Sequence, residues 1–334
     1  MAPFKDGRIG VMSEPNVILS GEPPESPARE RDYNRGILTV GAVQERWHPD
    51  LDEHQAALAA GIGAAVANGA QIVFLQELTL SRYFAVDMPG SIIGGDPQPE
   101  DLLTGPTFQF AAAMAYEHGV PVHASLFESS DDAVRRGPGT GYNTAILVAP
   151  DGSLLQRTRK MHIPASFGYR EDLWFSPAPA SEADGGGFPV KQMEFGGVTA
   201  RLGLPTCWDQ WFPELARAYS LADADLLAYP TAIGSEPSHP AFDTQSIWQH
   251  TIVGNGITAG LFMVAINRIG NEGDITFYGT SFISDPYGRV LCQAGRDEPA
   301  VLVAQLDLSQ RRDWLDLFPF LTTRRPDSYG SLLR

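Results

Sequence analysis

Short, continuously apolar segments alternate with helical segments along most of this chain from Ile37 onward. The segment Ile72–Leu75 (IVFL) is apolar on both faces, which is typical of a strand buried between two layers. It lies between two segments with helical patterns, His54–Ala67 and Phe108–His118, and a hairpin turn sequence, DPYG, occupies residues 285–288. Strands that alternate with helices and hairpins predict an α/β sandwich with a partly antiparallel sheet.

The N-terminal 36 residues have a different composition from the rest of the chain. They include GEPPESPARERDYNRG, which is rich in Pro, Glu and Arg and has no periodicity. We expect residues 1–36 to form an extended or poorly ordered arm that adds little to the core. Residues 37–334 show no repeat and no linker, so they are predicted to form one domain. We expect the aromatic tail of that domain, 314–329, to pack on a neighbouring element or at a subunit interface.

Charge and cysteine content restrict the classes of partner. The 334 residues include 24 Lys or Arg and 40 Asp or Glu, a formal net charge of −16. A surface this acidic repels phosphate backbones and anionic lipids, so we expect neither a nucleic-acid nor a membrane partner. The two cysteines, Cys207 and Cys292, exclude a disulfide framework and a four-cysteine zinc site. Without a membrane-length apolar run or a signal-peptide pattern, the sequence predicts a soluble cytoplasmic protein.

Glu77 is the first residue with a pattern that points to chemistry. It directly follows the apolar strand in IVFLQELTL, and open α/β folds build their sites at strand ends. A carboxylate at the edge of a buried strand loses hydration, which suits a general base. The alternative interpretation is structural: Glu77 caps the next turn or pairs with Arg82.

Lys160 is the second such residue, in the segment RTRKMHIP. Strand alternation places Arg157 and Arg159 on one side and Lys160 on the other, so Lys160 is the residue predicted to face inward. A buried ammonium needs anionic partners, and an oxyanion that forms during a reaction is one of them. The alternative is a basic loop that is simply solvated.

Cys207 is the third, in RLGLPTCWDQWFPE. It ends a predicted strand and precedes a helix that has Pro213 and Glu214 in its first turn. Such a junction displays a nucleophile and leaves backbone N–H groups free for an oxyanion hole. The alternative is a buried core thiol, an interpretation that also fits Cys292 between apolar hairpin neighbours.

The order of these three residues resembles the nitrilase superfamily of carbon–nitrogen hydrolases, from about Ile37 to the C-terminus. Within that superfamily the chain is most similar to the N-carbamoylputrescine amidase branch. The resemblance rests on six segments: RKMHIP (159–164), CWDQWFPE (207–214), YPTAIGSEP (229–237), NRIG (267–270), ITFYGTSFI (275–283) and RRPDSY (324–329). It implies an αββα sandwich and a homodimer or larger homo-oligomer.

The resemblance also implies a role for each candidate residue. Glu77 corresponds to the general base, Lys160 to the group that stabilises the transition state, and Cys207 to the nucleophile. A second glutamate of the family corresponds to Glu171 in GYREDLWF. The implied reaction cleaves a carbon–nitrogen bond through a Cys-bound carbamoyl intermediate, with the Trp208 N–H as a second oxyanion donor. It implies no metal and no organic cofactor.

The residues after the nucleophile bear on the substrate. Relatives that hydrolyse N-carbamoyl amino acids carry Arg three residues after the cysteine, where a guanidinium suits a carboxylate; this chain has Gln210. The absence of Arg at this position disfavours a substrate with a carboxylate tail. Trp211 and Tyr83 are predicted to line a slot for an alkyl amine, with cation–π attraction for its ammonium. Thr231 is predicted as a further substrate contact.

We therefore expect hydrolysis of N-carbamoylputrescine to putrescine, CO2 and NH3. Two alternatives remain open: hydrolysis of an N-carbamoyl amino acid such as N-carbamoyl-β-alanine, or of an ω-amide, with Arg170 or Arg82 as the carboxylate clamp. A third alternative is a catalytically inactive binding protein with the same fold. The sequence does not distinguish between Glu236 and Asp172 as the group that binds the distal end of the substrate.

Overall fold

The computed structural model describes residues 15–31, 33–131, 141–166, 168–181 and 187–333. Its strands are β1 (Asn16–Leu19), β2 (Ile37–Gln44), β3 (Ile72–Phe74), β4 (Val122–Glu128), β5 (Tyr142–Val148), β6 (Leu154–Arg159), β7 (Val190–Phe195), β8 (Val198–Gly203), β9 (Leu226–Pro230), β10 (Phe262–Ile266), β11 (Ile269–Glu272), β12 (Ile275–Tyr278), β13 (Phe282–Ser284), β14 (Val290–Gln293) and β15 (Ala300–Asp307). Its helices are α1 (Leu51–Ala67), α2 (Pro106–His118), α3 (Pro213–Leu221), α4 (Gln245–Ala259) and α5 (Ser309–Leu317).

Two sheets packed face to face form the centre of the described structure. One has the strand order β1-β15-β2-β3-β4-β5-β6 and the other β14-β13-β10-β9-β8-β7. Apolar side chains such as Val40 and Phe74 meet Leu202 and Val264 between the sheets. Helices α1 and α2 pack on the outer face of the first sheet, and α3 and α4 on that of the second. The predicted αββα sandwich is confirmed.

Parallel pairing at the centre of each sheet brings several strand ends to one edge. Strands β2, β3 and β4 are parallel, and so are β8, β9 and β10. The chain leaves β3 shortly before Glu77 and β8 shortly before Cys207. The antiparallel strand β6 ends at Arg159, directly before Lys160. The sheets therefore deliver these three side chains from separate strands.

The predicted N-terminal arm needs a correction. Residues 16–19 form β1, which pairs in parallel with β15 from Asn16 opposite Ala300 to Leu19 opposite Val303. The apolar side chains of Val17 and Ile18 pack on the two faces of the first sheet, so this part of the arm contributes to the core. Residues 1–14 lie outside the described structure, and the domain boundary at residue 37 stays a prediction.

The aromatic tail packs within the chain. The Trp314 indole donates its N–H to the Ile257 carbonyl of α4 at 2.8 Å and contacts the rings of Tyr287 and Phe318. Phe318 remains 46% exposed. A role for this tail at a subunit interface stays a prediction. Among the described helices, none combines the length and apolarity that a bilayer span needs.

Arg159 at the end of β6 is buried rather than solvated. It donates to both carboxylate oxygens of Glu128, at 2.9 and 2.6 Å, and its guanidinium lies over the Tyr142 ring at 3.8 Å. Arg157 reaches the same carboxylate at 3.4 Å and is a quarter exposed. The strand alternation is therefore as predicted, with both arginines on one side and Lys160 on the other.

Arg159→Ala should lower the free energy of unfolding by about 3–5 kcal/mol, because it leaves the Glu128 carboxylate buried without its main partner. Arg157→Ala is the matched control and should cost about 1 kcal/mol or less, since its contact is longer and more exposed. Urea unfolding measures both values. Similar losses in the two variants would contradict the assignment of Arg159 as the principal partner.

Candidate active site

Cys207 begins a tight 3-10 turn, Cys207–Trp211, shortly after β8 ends at Gly203. Its φ of 40° lies in the left-handed region, a strained conformation for a non-glycine residue that surrounding contacts must hold. Asp209 supplies those contacts: its Oδ2 accepts the Thr206 N–H at 3.1 Å, and its own N–H donates to the Thr206 carbonyl at 3.0 Å. The turn therefore presents the thiol at a rigid strand-to-helix junction.

The Glu77 carboxylate is fully buried, and its two oxygens have different surroundings. Oε1 accepts hydrogen bonds from Asn143 Nδ2 at 2.7 Å and Lys160 Nζ at 2.8 Å. Oε2 has no hydrogen-bond partner among the described residues. One oxygen is therefore held in place while the other is free to accept a proton. The alternative pairing with Arg82 is wrong, because Arg82 pairs with Asp87 at 2.6 Å.

Lys160 is 1% exposed and lies between two carboxylates. Its Nζ donates to Glu77 and to both oxygens of Glu171, at 2.8 and 2.7 Å. Burial acts to lower the pKa of the ammonium, but the charges of Glu171 and Glu77 outweigh burial and raise that pKa above its ordinary value. This raised pKa favours the protonated ammonium, which suits a cation and hydrogen-bond donor better than a base.

Glu171 lies in a second 3-10 turn, Glu171–Leu173, and also receives the Tyr83 hydroxyl at 2.9 Å. Burial raises the pKa of Glu171, while the charge of Lys160 opposes the rise. The buried cluster thus contains two carboxyl groups and one ammonium. This excess of proton-binding groups beside the thiol is suited to storing and returning a proton.

The Cys207 thiol has a raised pKa. Burial is the main cause and the nearby Glu77 charge adds to it, while Lys160 and a hydrogen bond from the Ala232 N–H act in the opposite direction. A raised pKa favours the neutral thiol over the thiolate at rest. A neutral thiol needs a base to become a nucleophile, and Glu77 has a carboxylate oxygen without a hydrogen-bond partner among the described residues.

Asp209 also ties the lysine segment to the nucleophile turn. Its Oδ1 accepts both the backbone N–H of His162, at 2.9 Å, and the His162 ring Nδ1, at 2.8 Å. The His162 ring stacks on Phe212 with centroids 3.7 Å apart. Sequence reasoning missed Asp209. The available signal was its position in CWDQWFPE, two residues after the cysteine.

A cavity of about 280 Å³ opens beside the thiol. Cys207 and Glu171 lie on its wall, and Phe242 and Ile247, which are 54% and 45% exposed, mark its outer part. The other lining residues are mostly apolar: Pro164, Ser166, Tyr169, Trp208, Trp211, Ala232, Ile233, Glu236 and Thr244. Among these described lining residues there is no Lys or Arg. The cavity is therefore apolar with acidic groups and suits a chain with a cationic end.

The predicted substrate contacts divide into two groups. Trp208 and Trp211 line the cavity, and Glu236 is the acidic candidate that joins them. Tyr83 and Thr231 do not line it, which corrects their predicted direct contact. Tyr83 is buried, and both of its donors are occupied. Its hydroxyl donates to Glu171 at 2.9 Å, and its backbone N–H donates to the Glu272 carboxylate at 2.6 Å.

Thr231 is also buried, and its hydroxyl is occupied because it donates to the carbonyl of Tyr229 at 3.0 Å. Gln210 is also buried and does not line the cavity, nor do Arg170 and Asp172. Cys292 lies in the core on β14, and burial raises its pKa to about 12, as expected for a structural thiol. In the part of the chain that the structure describes, no group of three or more His, Cys, Asp or Glu side chains is arranged to hold a metal ion.

Comparison with known proteins agrees with this fold. The family model for carbon-nitrogen hydrolases matches residues 39–316, and the chain belongs to that family, within the nitrilase superfamily. It is 36% identical over 305 residues to an N-carbamoylputrescine amidase of Solanum tuberosum, across 89% of this chain and 95% of that protein. The protein is therefore a hydrolase that acts on amides.

Two further relatives extend the comparison. A citrullinase of Francisella tularensis is 33% identical over 304 residues, across 89% of this chain and 98% of that protein. The crystal structure of a carbon-nitrogen hydrolase from Helicobacter pylori G27 superimposes with a TM-score of 0.75 at 30% identity, covering 90% of this chain and 99% of that one.

The raised pKa of the Cys207 thiol predicts that thiolate is scarce in the resting enzyme at neutral pH. With ¹³C-labelled cysteine Cβ, the NMR signal of Cys207 should stay at its thiol position through the pH range where an ordinary cysteine ionises. Cys292→Ser and Cys207→Ala assign the two signals. A shift to the thiolate position with a midpoint at or below an ordinary cysteine pKa would contradict this protonation state.

Proposed function

We propose that the chain hydrolyses the ureido group of N-carbamoylputrescine, with Glu77, Lys160, Cys207 and Glu171 as its catalytic residues. The observation that carries this substrate is the cavity lining, where Glu236 is an acidic side chain separate from the buried cluster and no described lining residue is a cation. An alkyl chain packs against Trp208 and Trp211, which both line the cavity, and its distal ammonium binds Glu236.

The first half of the reaction forms a bond to sulfur. Glu77 Oε2 accepts the thiol proton as Cys207 Sγ attacks the ureido carbon, and negative charge develops on the carbonyl oxygen. Lys160 Nζ and the Trp208 N–H stabilise that oxyanion, and one such donor is worth about 3 kcal/mol. Because Glu236 holds the other end of the chain outward, the free NH2 faces the buried carboxyl groups. It takes the proton from Glu77 and leaves as ammonia.

The second half releases the carbon from sulfur. The intermediate is an alkylcarbamoyl group in thioester linkage to Cys207. Water enters the position that ammonia vacated, Glu77 accepts its proton, and hydroxide adds to the carbonyl carbon. When the tetrahedral intermediate collapses, the carbon–sulfur bond breaks and the thiol regains its proton. The carbamic acid that leaves loses CO2 and yields putrescine.

The cavity disfavours a substrate with an unpaired carboxylate. Arg82 is bound to Asp87, and Arg170 does not line the cavity, so neither clamp considered from the sequence is in position. The citrullinase relative makes L-citrulline the second candidate, because its distal end has an ammonium that fits Glu236. Its carboxylate meets no cation among the described lining residues.

Ammonia release from N-carbamoylputrescine, L-citrulline and N-carbamoyl-β-alanine, assayed side by side, tests the substrate. We expect the highest kcat/KM for N-carbamoylputrescine, then L-citrulline, and the lowest for the acid without an amine. Cys207→Ala should abolish every activity. Preference for N-carbamoyl-β-alanine would contradict the role of Glu236, and preference for L-citrulline would establish the second candidate.

Glu236→Gln should raise KM for N-carbamoylputrescine about tenfold or more with little change in kcat, because a charged hydrogen bond to the ammonium is lost. N-butylurea, which lacks the ammonium, is the matched control substrate, and its KM should not rise. An equal change for both substrates would contradict ammonium binding at Glu236.

Burial raises the pKa of Glu236, so its carboxylate is protonated at a higher pH than an ordinary glutamate. KM for N-carbamoylputrescine should therefore increase as pH falls through this raised pKa, while KM for N-butylurea stays constant. Steady-state kinetics across the acidic range measure both. Parallel pH dependence of the two KM values would contradict the assignment.

A further inference from the structure

Arg268 is one of the largest fully buried side chains, and the reaction scheme above gives it no part. It belongs to the NRIG segment, directly after β10. One terminal nitrogen, Nη2, donates to the backbone carbonyls of Glu77 at 2.8 Å, Leu78 at 3.1 Å and Ser81 at 3.1 Å. A single guanidinium therefore gathers three carbonyls of the turn that begins at Glu77.

That turn has a conformation that needs support. Leu78 has a φ of 48°, which is strained for a residue with a Cβ, and it directly follows Glu77. The Leu78 N–H donates to Ser125 Oγ at 3.1 Å, so the turn is also held from β4. Relaxation of Leu78 to an ordinary φ would rotate the peptide after Glu77 and move its carboxylate away from Lys160.

The other terminal nitrogen of Arg268 leads to the second carboxylate. Nη1 pairs with Glu272 Oε1 at 2.7 Å, and Glu272 Oε2 accepts the Tyr83 backbone N–H at 2.6 Å. The Tyr83 hydroxyl then donates to Glu171. Arg268 thus reaches Glu77 through the backbone and Glu171 through two intermediate residues.

The preceding residue, Asn267, braces the opposite side of the site. Its Oδ1 accepts the Ile233 N–H at 3.0 Å and its Nδ2 donates to the Ile233 carbonyl at 2.9 Å. Ile233 and the preceding Ala232 line the same cavity as Cys207. Two consecutive residues at the end of β10 therefore support the base on one side and the cavity wall beside the nucleophile on the other.

We propose that Arg268 is a positioning residue. It holds the strained turn 77–81 so that the free oxygen of Glu77 stays in position to accept the proton of Cys207. Through Glu272 and Tyr83, it also keeps the Glu171 carboxylate in its position beside Lys160. This inference rests on the proposed role of Glu77 as the base. The planar fork of arginine is required, because a lysine ammonium is a point donor that cannot span Glu272 and three carbonyls together.

The test measures acylation of Cys207 by p-nitrophenyl acetate in the intact protein by stopped flow. This probe requires the thiol and its base but not recognition of a ureido group. The amplitude of the p-nitrophenol burst reports how many sites are competent. The burst rate constant is measured separately and does not depend on how much of the protein is folded. We expect Arg268→Lys to slow the burst rate about 100-fold, the effect of a displacement near 1 Å, with half-saturation by the ester unchanged.

Arg311→Lys is the matched control. Arg311 is also buried and donates to the carbonyls of Ser220, Ala259 and Gly260, so its hydrogen bonds hold the ends of α3 and α4 and not the turn 77–81. Its lysine variant should lose comparable thermal stability and keep the wild-type burst rate. If Arg268→Lys yields no folded protein, Glu272→Gln is measured instead. Its burst rate is expected to decrease about tenfold.

Two results would overturn the inference: a wild-type burst rate in the folded Arg268 or Glu272 variant, or an equal decrease in Arg311→Lys. The proposed function fails separately. If the wild-type chain releases no ammonia from N-carbamoylputrescine while its burst depends on Arg268, the substrate assignment is wrong and the positioning role stands.

Discussion

The structure of the site depends on one buried ammonium. Lys160 is withdrawn from water, so it must be neutralised, and its Nζ is held by Glu77 and Glu171 at 2.7 to 2.8 Å. Removal of either carboxylate would leave a less compensated charge in a low-dielectric interior, which is strongly unfavourable. The same ion cluster that stabilises the interior therefore sets the distance between the proposed base and the proposed oxyanion donor.

The rest of the fold serves to bring these three side chains together. Glu77 comes from the end of β3, Lys160 from the end of β6 and Glu171 from a loop, so no short segment of the chain contains the site. Asp209 then joins the lysine segment to the nucleophile turn by hydrogen bonds to both. Because these contacts are backbone-directed, the site is positioned by rigid elements and not by mobile side chains.

The charge of the cluster also explains the protonation states that the proposed reaction needs. Two carboxyl groups share one ammonium, so negative charge remains beside Cys207, and burial together with that charge raises the thiol pKa. A thiol kept neutral at rest does not react indiscriminately. In the proposed reaction, it becomes a nucleophile only when a bound carbonyl accepts the charge that Lys160 would stabilise.

Local patterns were sufficient to predict much of this arrangement. Strand alternation predicted that Lys160 faces inward, the apolar strand pointed to Glu77, and the α/β pattern with the family resemblance predicted the αββα sandwich. The contribution of β1 was not predictable, because three apolar residues in a polar segment form a strand only when the distant edge of β15 is available.

Long-range contacts account for the remaining differences. Tyr83 was expected in the substrate slot because aromatic residues commonly line such slots, but its hydroxyl and backbone are used by Glu171 and Glu272. Arg268 lies 191 residues from the Glu77 carbonyl that it binds, and nothing in the NRIG segment alone reveals this contact. Support for a site from distant segments appears only in three dimensions.

The measurement that tests the account most directly is the mass of Cys207 during turnover. Wild-type protein mixed with N-carbamoylputrescine, quenched in acid within a single turnover and digested, should carry an alkylcarbamoyl group on the peptide that contains Cys207. Appearance of that adduct no slower than product release is the predicted result. Full turnover with Cys207 unmodified at every quench time, or an adduct on another residue, would contradict the proposed thiol mechanism.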